Sequence, residues 1–386
     1  MTCSHSLSGL LSFSTKPKNG SKLQEEIEAH KMSIPQTSKN KEFTMKKYLL
    51  LAGVCLTILT LFQGDIFAQT GWKQQKCKVK IHSNFVVNFH GVFFSDSING
   101  FAVGGNDEGG TGIIILTTDG GETWQQQKIG NARALWGVCF KDANNGTAVG
   151  DAQILHTVDG GETWDKKTKL TYARLYGVTY ADSVTVIAVG SSGVILRSTD
   201  GGDTWTTQKK ASFSGFDLYG VSFTDAKTGT AVGKAGKILR TTDGGETWKE
   251  TPKLVNGELR SVCFTEANTG TVVGGNMSMN LRFLAGKGEM HKNDGFIFRT
   301  TDGGANWTKQ LGKVPYLQEV AFVNANTGVA VGIDGTILRT SNGGEIWTKQ
   351  KSGKDKDLYG VTLASENKGW VVGGELIILH TATGGE

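Results

Sequence analysis

An eight-residue phrase, T-T-D-G-G-E-T-W at 117–124, returns through most of this chain and leaves few folds open to it. Copies follow at 157–164, 198–205, 241–248, 300–307 and 340–347, and an incomplete seventh, T-A-T-G-G-E, occupies 381–386. Measured on the acidic position (Asp119, Asp159, Asp200, Asp243, Asp302, Asn342, Thr383), the steps are 40, 41, 43, 59, 40 and 41 residues. That is the period of a four-stranded propeller blade, a unit that buries its apolar faces only by stacking on its neighbours.

Two further landmarks precede each box. One is L-[W/Y]-G-V-x-F, at 135–140, 175–180, 218–223 and 358–363, with looser copies at 89–94, 259–264 and 317–322. The other ends in A-V-G or V-V-G, as at 102–104, 148–150 and 231–233. A third segment, G-x-I-L-x-T, runs into the box, and the box Trp opens a fourth. β-Branched and aromatic residues divided by Gly, Asn and Asp are strand and turn chemistry. The expectation is an all-β, seven-bladed β-propeller of four-stranded antiparallel blades over 69–386. The last unit stops before its Trp strand, while T-G-W-K-Q-Q at 70–75 matches that strand elsewhere. The N-terminal segment is therefore expected to close the seventh blade, with Trp72 in the place of a box Trp, leaving no free sheet edge. A truncated gene product is the alternative, and it also gives seven blades.

The box has a physical reason to recur. Its Asp can accept backbone N–H bonds from its own turn, its glycines tolerate positive φ, and its Trp can pack between sheets. Asp119, Trp124, Asp159, Trp164, Asp200, Trp205, Asp243, Trp248, Asp302, Trp307, Asn342 and Trp347 are accordingly read as structural. So is the ring of Leu116, His156, Arg197, Arg240, Arg299, Arg339 and His380, one residue per blade ahead of each box.

The formal charge of +5 is concentrated outside the repeats: residues 1–68 hold eight Lys against five acidic residues, leaving 33 basic and 31 acidic side chains beyond them. A nearly neutral ring argues against nucleic acid. Residues 1–44 are polar and patternless and read as an over-extended gene start. Met45-Lys46-Lys47, the apolar run 48–62 and Ile66-Phe67-Ala68 read as a signal peptide over 45–68, so the protein is expected to be exported. Cys77, Cys139 and Cys263 follow it. The last two share one repeat position, which suits buried small hydrophobes, and no C-x-x-C spacing exists. No metal and no cofactor are expected.

Propellers bind on a face. The crossovers between blades share one rim with the loops between second and third strands, and the box turns lie on the other. Arg133, Arg174 and Arg260 fall on the first rim, with Lys209, Lys210, Lys253 and Lys313 in the crossovers. They are expected to form a basic patch near the channel that grips a carboxylate or an acidic protein segment. Solvated loop charges are the alternative. The 59-residue step marks an insertion of roughly eighteen residues between Gly275 and Gly295. Met277, Met279, Met290 and Arg282 within it suggest an adaptable recognition loop, against the alternative of an elongated hairpin.

These motifs resemble the Asp-box, or BNR, repeat of sialidase-like propellers over nearly all of 70–386. A sialidase needs an arginine triad and a Tyr nucleophile paired with Glu, and its early R-I-P signature is missing here. Tyr172, Tyr176, Tyr180, Tyr219, Tyr316 and Tyr359 mostly recur in phase, as scaffold residues would. In the order L-Y-G-V-x-F, G-x-A-V-G, G-x-I-L-R-T and T-D-G-G-x-T-W the chain more closely resembles the photosystem II stability and assembly factor family. That resemblance implies a secreted or lumenal, non-catalytic ring that binds a membrane-protein precursor during assembly. It also implies contact through arginines on one face, for which Arg133, Arg174 and Arg260 are the equivalents. A monomer with a protein partner is expected. A cell-surface glycan-binding or glycoside-hydrolase-like propeller is the alternative, favoured if aromatic platforms rather than arginines occupy the crossover rim.

Overall fold

The structure, a computed structural model, describes residues 71–77, 79, 86–108, 110–209, 215–276 and 294–386. The leader at 1–44, the signal at 45–68, Lys210, and Met277, Met279, Arg282 and Met290 of the insertion lie outside the described residues. Among those described there is no α-helix; strands alternate with turns and with short 3-10 segments such as Ser191–Gly193, Lys234–Gly236 and Gly374–Leu376.

The strands form small antiparallel meanders, the propeller arrangement that the period requires. In the first, Asn88–Phe94, Gly100–Gly105, Gly112–Thr117 and Gln125–Gln126 pair in chain order. Three more four-stranded sheets begin at Leu218–Phe223, Glu258–Phe264 and Leu317–Phe322. A fifth joins Leu358–Leu363, Gly369–Gly373 and Ile378–Thr381 to Lys73–Gln74 from the other end of the described chain, with Lys73 opposite His380 and Gln74 opposite Leu379.

The remaining strands depart from seven separate blades. Leu135–Phe140, Gly146–Thr157, Asp165–Tyr180, Val186–Gly190, Ile195–Ser198 and Thr206–Lys209 make one six-stranded ladder. Asp165–Tyr180 pairs at its start with Gly146–Thr157 and at its end with Val186–Gly190. The cause is local sequence. The crossover 165–174 contains no Gly, Pro or Asn, whereas the other crossovers hold Gly130, Gly215, Pro252, Gly312 or Gly353, so nothing breaks the extended backbone there. Five four-stranded sheets and this double-length one are what the structure contains.

Each innermost strand carries the same irregularity. Its pairing with the second strand slips by one residue inside L-x-G-V, between Phe89 and Gly91, Leu135 and Gly137, Leu175 and Gly177, Leu218 and Gly220, Leu259 and Ser261, Leu317 and Glu319, and Leu358 and Gly360. A β-bulge of this kind re-aims the extra side chain. It also explains the glycine that ends A-V-G. A Cβ on Gly104 would lie 1.9 Å from the carbonyl oxygen of Asn88, and one on Gly274 equally close to that of Glu258. The two motifs are opposite sides of one contact.

The box ends are stapled alike. Thr117 hydroxyl donates to Asp119 Oδ1 (2.7 Å), Thr123 N–H donates to the same oxygen (2.9 Å), and Thr123 hydroxyl donates to Oδ2 (2.6 Å). Gly121 N–H closes the turn on Thr117 Oγ1 at 2.8 Å. The pattern recurs at Asp159, Asp200, Asp243 and Asp302. The hydroxyl and amide of Thr163 hold Asp159 down to about 2 from an ordinary 3.8. Asn342 accepts from Thr340 and Ile346 N–H at 3.0 Å but carries no charge, and Thr383 makes no bond to a residue of the 384–385 turn. Box tryptophans meet the Phe of L-x-G-V-x-F edge to face, as in Phe94–Trp124 (6.0 Å) and Phe140–Trp164 (5.9 Å). Trp72 is buried in the cluster of Val361, Val371 and Leu379, beside Leu363, and its indole N–H donates to Gln350 Oε1 at 2.7 Å. Arg197 and Arg299 reach the carbonyls of Gly244 (2.8 Å) and Ala325 (2.7 Å), contacts from one repeat to the next.

Candidate functional site

The seven bulges converge on the mouth of a central cavity of about 440 Å³, whose lining includes all seven re-aimed residues: His90, Trp136, Tyr176, Tyr219, Arg260, Gln318 and Tyr359. Four aromatic rings follow one another round the mouth. His90 stacks on Trp136 (4.0 Å between centroids), Trp136 meets Tyr176 (5.9 Å), and Tyr176 meets Tyr219 (5.3 Å). Tyr359 lies 5.5 Å from His90 on its other side. The guanidinium of Arg260 sits 4.1 Å over Tyr219 and donates through Nε to Gln318 Oε1 at 3.1 Å.

Carboxylates stand around these rings. Asp107 Oδ1 is 2.9 Å from His90 Nε2, and its other oxygen accepts from Asn88 at 3.0 Å. Asp151, itself buried, accepts from Trp136 Nε1 (2.9 Å) and from Arg174 Nε (2.6 Å) and Nη2 (3.3 Å), which holds the Arg174 guanidinium 4.8 Å from the Trp136 ring. Glu258 accepts from the Tyr316 hydroxyl at 2.6 Å. Asp217 and Asp357 accept the N–H groups of Ser192 (2.8 Å) and Asp334 (3.1 Å).

Deeper in the channel the bulge glycine gives way twice, to Ser261 and to Glu319. The Glu319 carboxylate accepts Val361 N–H at 3.3 Å, and burial pushes its pKa up to about 8, so it is mostly protonated at neutral pH. Burial likewise pushes the thiols of Cys139 and Cys263 up to about 11. Neither is a thiolate near neutral pH; both are partly buried and line the cavity rather than sit in the core expected of them. Among the described residues no three His, Cys, Asp or Glu side chains are grouped as metal ligands would be.

The arginines do not converge into one basic patch. Arg260 is at the mouth. Arg174 is on its rim but bound to Asp151. Arg133 is exposed and does not line the cavity; its main-chain carbonyl accepts from Gln153 at 2.7 Å. Lys209 is exposed on the outermost strand Thr206–Lys209. The physical reason is local: Asp151 takes up the Arg174 guanidinium, Gln318 and Glu258 (4.0 Å) hold that of Arg260, and Arg133 lies away from the cavity. In-phase recurrence had marked the tyrosines as scaffold. Tyr180, which bonds Thr147 (2.9 Å), fits that reading, but Tyr176, Tyr219 and Tyr359 are mouth residues. The signal that could have found them is a fixed motif with one variable position, L-x-G-V, occupied in turn by His, Trp, Tyr, Tyr, Arg, Gln and Tyr. The insertion leaves the same end of the molecule, where Gly275 faces Gly295 and Asn276 N–H donates to Asp294 at 3.1 Å.

Stapled box turns, four-stranded meanders and a ring of bulged residues define a β-propeller of the BNR-repeat class. The chain belongs to the family of the photosynthesis system II assembly factor YCF48, whose model matches residues 122–212, 167–242 and 308–386, together more than half of the sequence. Among solved structures it is similar to "YCF48 bound to D1 peptide", at 18% identity and a TM-score of 0.61 over 82% of this chain and 98% of the other. YCF48 from Cyanidioschyzon merolae matches at 18% and 0.59, over 81% and 98%. An ancestral GH74 enzyme matches at 13% and 0.59, over 81% of this chain and 46% of its own. At such identities these structures speak for the fold alone. Comparison with curated proteins by sequence finds no match.

Proposed function

We propose that the chain is an exported, non-catalytic propeller that holds a segment of a protein partner, of the membrane-protein precursor kind, at the channel mouth during assembly. The observation that carries this reading is the convergence of seven bulged side chains on one cavity, five of them aromatic rings in contact with one another and one an arginine. Rings and a guanidinium offer broad contact with few bonds, as interface hot spots do. Family membership supports it, as does the peptide carried by the similar YCF48 structure. In this reading the six-stranded ladder is two repeats joined through Asp165–Tyr180, which makes seven blades, and the pairing of Lys73–Gln74 with Ile378–Thr381 closes the ring. Arg260 is the arginine placed to meet an acceptor on the partner. The protein works as a monomer, delivered by the signal at 45–68.

Capture from detergent-solubilised membranes of the native host tests this. Immobilised protein is expected to retain a membrane protein, and Trp136→Ala with Tyr219→Ala to reduce retention at least tenfold while the protein stays folded. Equal retention by the folded double variant would refute the mouth as the site. The same rings also favour a second reading, a glycan seated on Trp136, Tyr176 and Tyr219. Loss of capture after deglycosylation of the membranes would select it.

A further inference from the structure

The mouth is not electrically uniform, and the difference bears on what the partner presents. This inference rests on the mouth as the partner site. On the side of Tyr219 a cation is already in place: Arg260 lies over the ring, as Arg174 lies over Trp136. Two ring faces at this mouth therefore already bind guanidinium groups supplied by the chain itself. On the side of Tyr359 and His90 no basic side chain among the described residues stacks on either ring. Asp107 touches His90 there, and Asp357 precedes Tyr359 by two residues, while the nearby Lys356 is taken by Glu375 at 2.7 Å. Burial, Asp357 and Asp107 together push the Tyr359 hydroxyl up to about 12, so both carboxylates act on the same ring; Arg260 opposes them from across the mouth. Around the tyrosines as a group, Asp107, Asp217, Glu258 and Asp357 are felt against Arg174 and Arg260.

We propose that the mouth seats a lysine or arginine side chain of the partner against Tyr359, beside Asp107, which lines the cavity there, with Asp357 acting on the same ring from behind the lining. The cavity supplies what such a side chain needs: ring surface for its aliphatic stem or guanidinium plane, and a carboxylate for its charge. Asp107 is half exposed, so an incoming cation can reach it without unfolding anything. Arg260 then meets an acceptor on the same segment, and the two ends of the mouth set its direction.

The test uses two capped tripeptides, Ac-Gly-Lys-Gly-NH2 and Ac-Gly-Glu-Gly-NH2, titrated at low salt into the full chain. The indole N–H resonance of Trp136 serves as reporter, since that ring stacks on His90. The lysine peptide is expected to shift it saturably, with affinity falling as salt rises, and the glutamate peptide to bind at least tenfold more weakly. Asp107→Asn with Asp357→Asn should weaken the lysine peptide at least tenfold; the one amide oxygen of Asn can still accept from Asn88 at 107 and from Asp334 N–H at 357, the oxygen facing His90 is lost, and a thermal melt checks that the variant is folded. Tyr359→Phe, which keeps the ring, should bind within twofold of the native chain, and Tyr359→Leu should not. Tighter binding of the glutamate peptide, no saturable shift with the lysine peptide, or unchanged affinity in the folded double Asn variant would each overturn the proposal. Glutamate binding at the mouth together with retained membrane capture would remove the cation seat and leave the mouth as the partner site. Lysine binding without any membrane capture would do the reverse.

Discussion

At the box end of the propeller the five repeats that carry an Asp place it in the same set of bonds, whereas at the mouth end one backbone position carries His90, Trp136, Tyr176, Tyr219, Arg260, Gln318 and Tyr359 in turn. Both ends recur with the same period and both are set by local backbone geometry, a stapled turn at one and a bulge at the other. They differ in what the recurrence protects. The carboxylate of Asp159 has its bonds inside its own turn, accepting from the Thr157 hydroxyl and from the amide and hydroxyl of Thr163, while the Gly161 amide closes the turn on Thr157 Oγ1. The bulge fixes only where its side chain points, and leaves its chemistry free to vary.

The largest expected difference between the two ends is in stability. Trp72 is buried between repeats and bonded to Gln350, so Trp72→Ala should cost about 3–5 kcal/mol. Trp136→Ala at the mouth, where the ring is only half buried, should cost about 1 kcal/mol while abolishing partner capture. Denaturant titration of the two variants measures the gap, and equal losses would dissolve the distinction between a structural and a recognition rim.

Acid should act on the box end. A carboxylate whose folded pKa is lowered stabilises the fold above its unfolded value and loses that contribution as pH falls through the folded one. For Asp159 and Asp302, each lowered from 3.8 to about 2, the window runs from about pH 4 down to about pH 2. Thermal melts across it should show a falling midpoint, and Asp159→Asn should flatten part of that slope. A midpoint unchanged between pH 4 and pH 2 would mean that the staples contribute nothing through their charge.

The smallest effect is local and lies within the box end. Thr123 N–H is bonded to Asp119, whereas the turn at 381–386 has Thr383 in place of the acid. Amide exchange should therefore be faster in the last turn than at 119–124, by a few-fold. Equal protection would show that the glycines and Thr381 suffice without a carboxylate.

What was legible in the sequence follows the same division. The box, its spacing and the pairing of 70–75 with the last repeat could be read because each rests on residues whose neighbours in space are neighbours in the repeat. Arg174 and Arg260 could be placed on the right rim for that reason too. Their partners could not, since Asp151 approaches Arg174 only through the strand register, and Gln318 meets Arg260 from the next sheet. The long strand Asp165–Tyr180 was hidden because a crossover is recognised by its turn residues, and this one has none. The tyrosines were misread as scaffold because periodicity reports where a side chain starts, and a one-residue slip decides where it points.

The pairing of Lys73 with His380 has a consequence for how the molecule is made and how it yields. Among the described strands Lys73–Gln74 is the first to be synthesised, and its partner Ile378–Thr381 belongs to the last repeat, so it is late to find its place. Joining segments so far apart is entropically costly and slow, and until it happens the last sheet keeps an open edge. Once joined, that seam is held by the Lys73–Gln74 pairing, by the backbone bonds of Gly71 to Glu386 and of Gln75 to Ile378, and by the Trp72 anchor; its outermost strand is as short as Gln125–Gln126 or Lys249–Glu250 in other sheets. Traction applied on the N-terminal side loads the pairing of Lys73–Gln74 with Ile378–Thr381 first, so the last sheet meets the force before the sheets further along the chain.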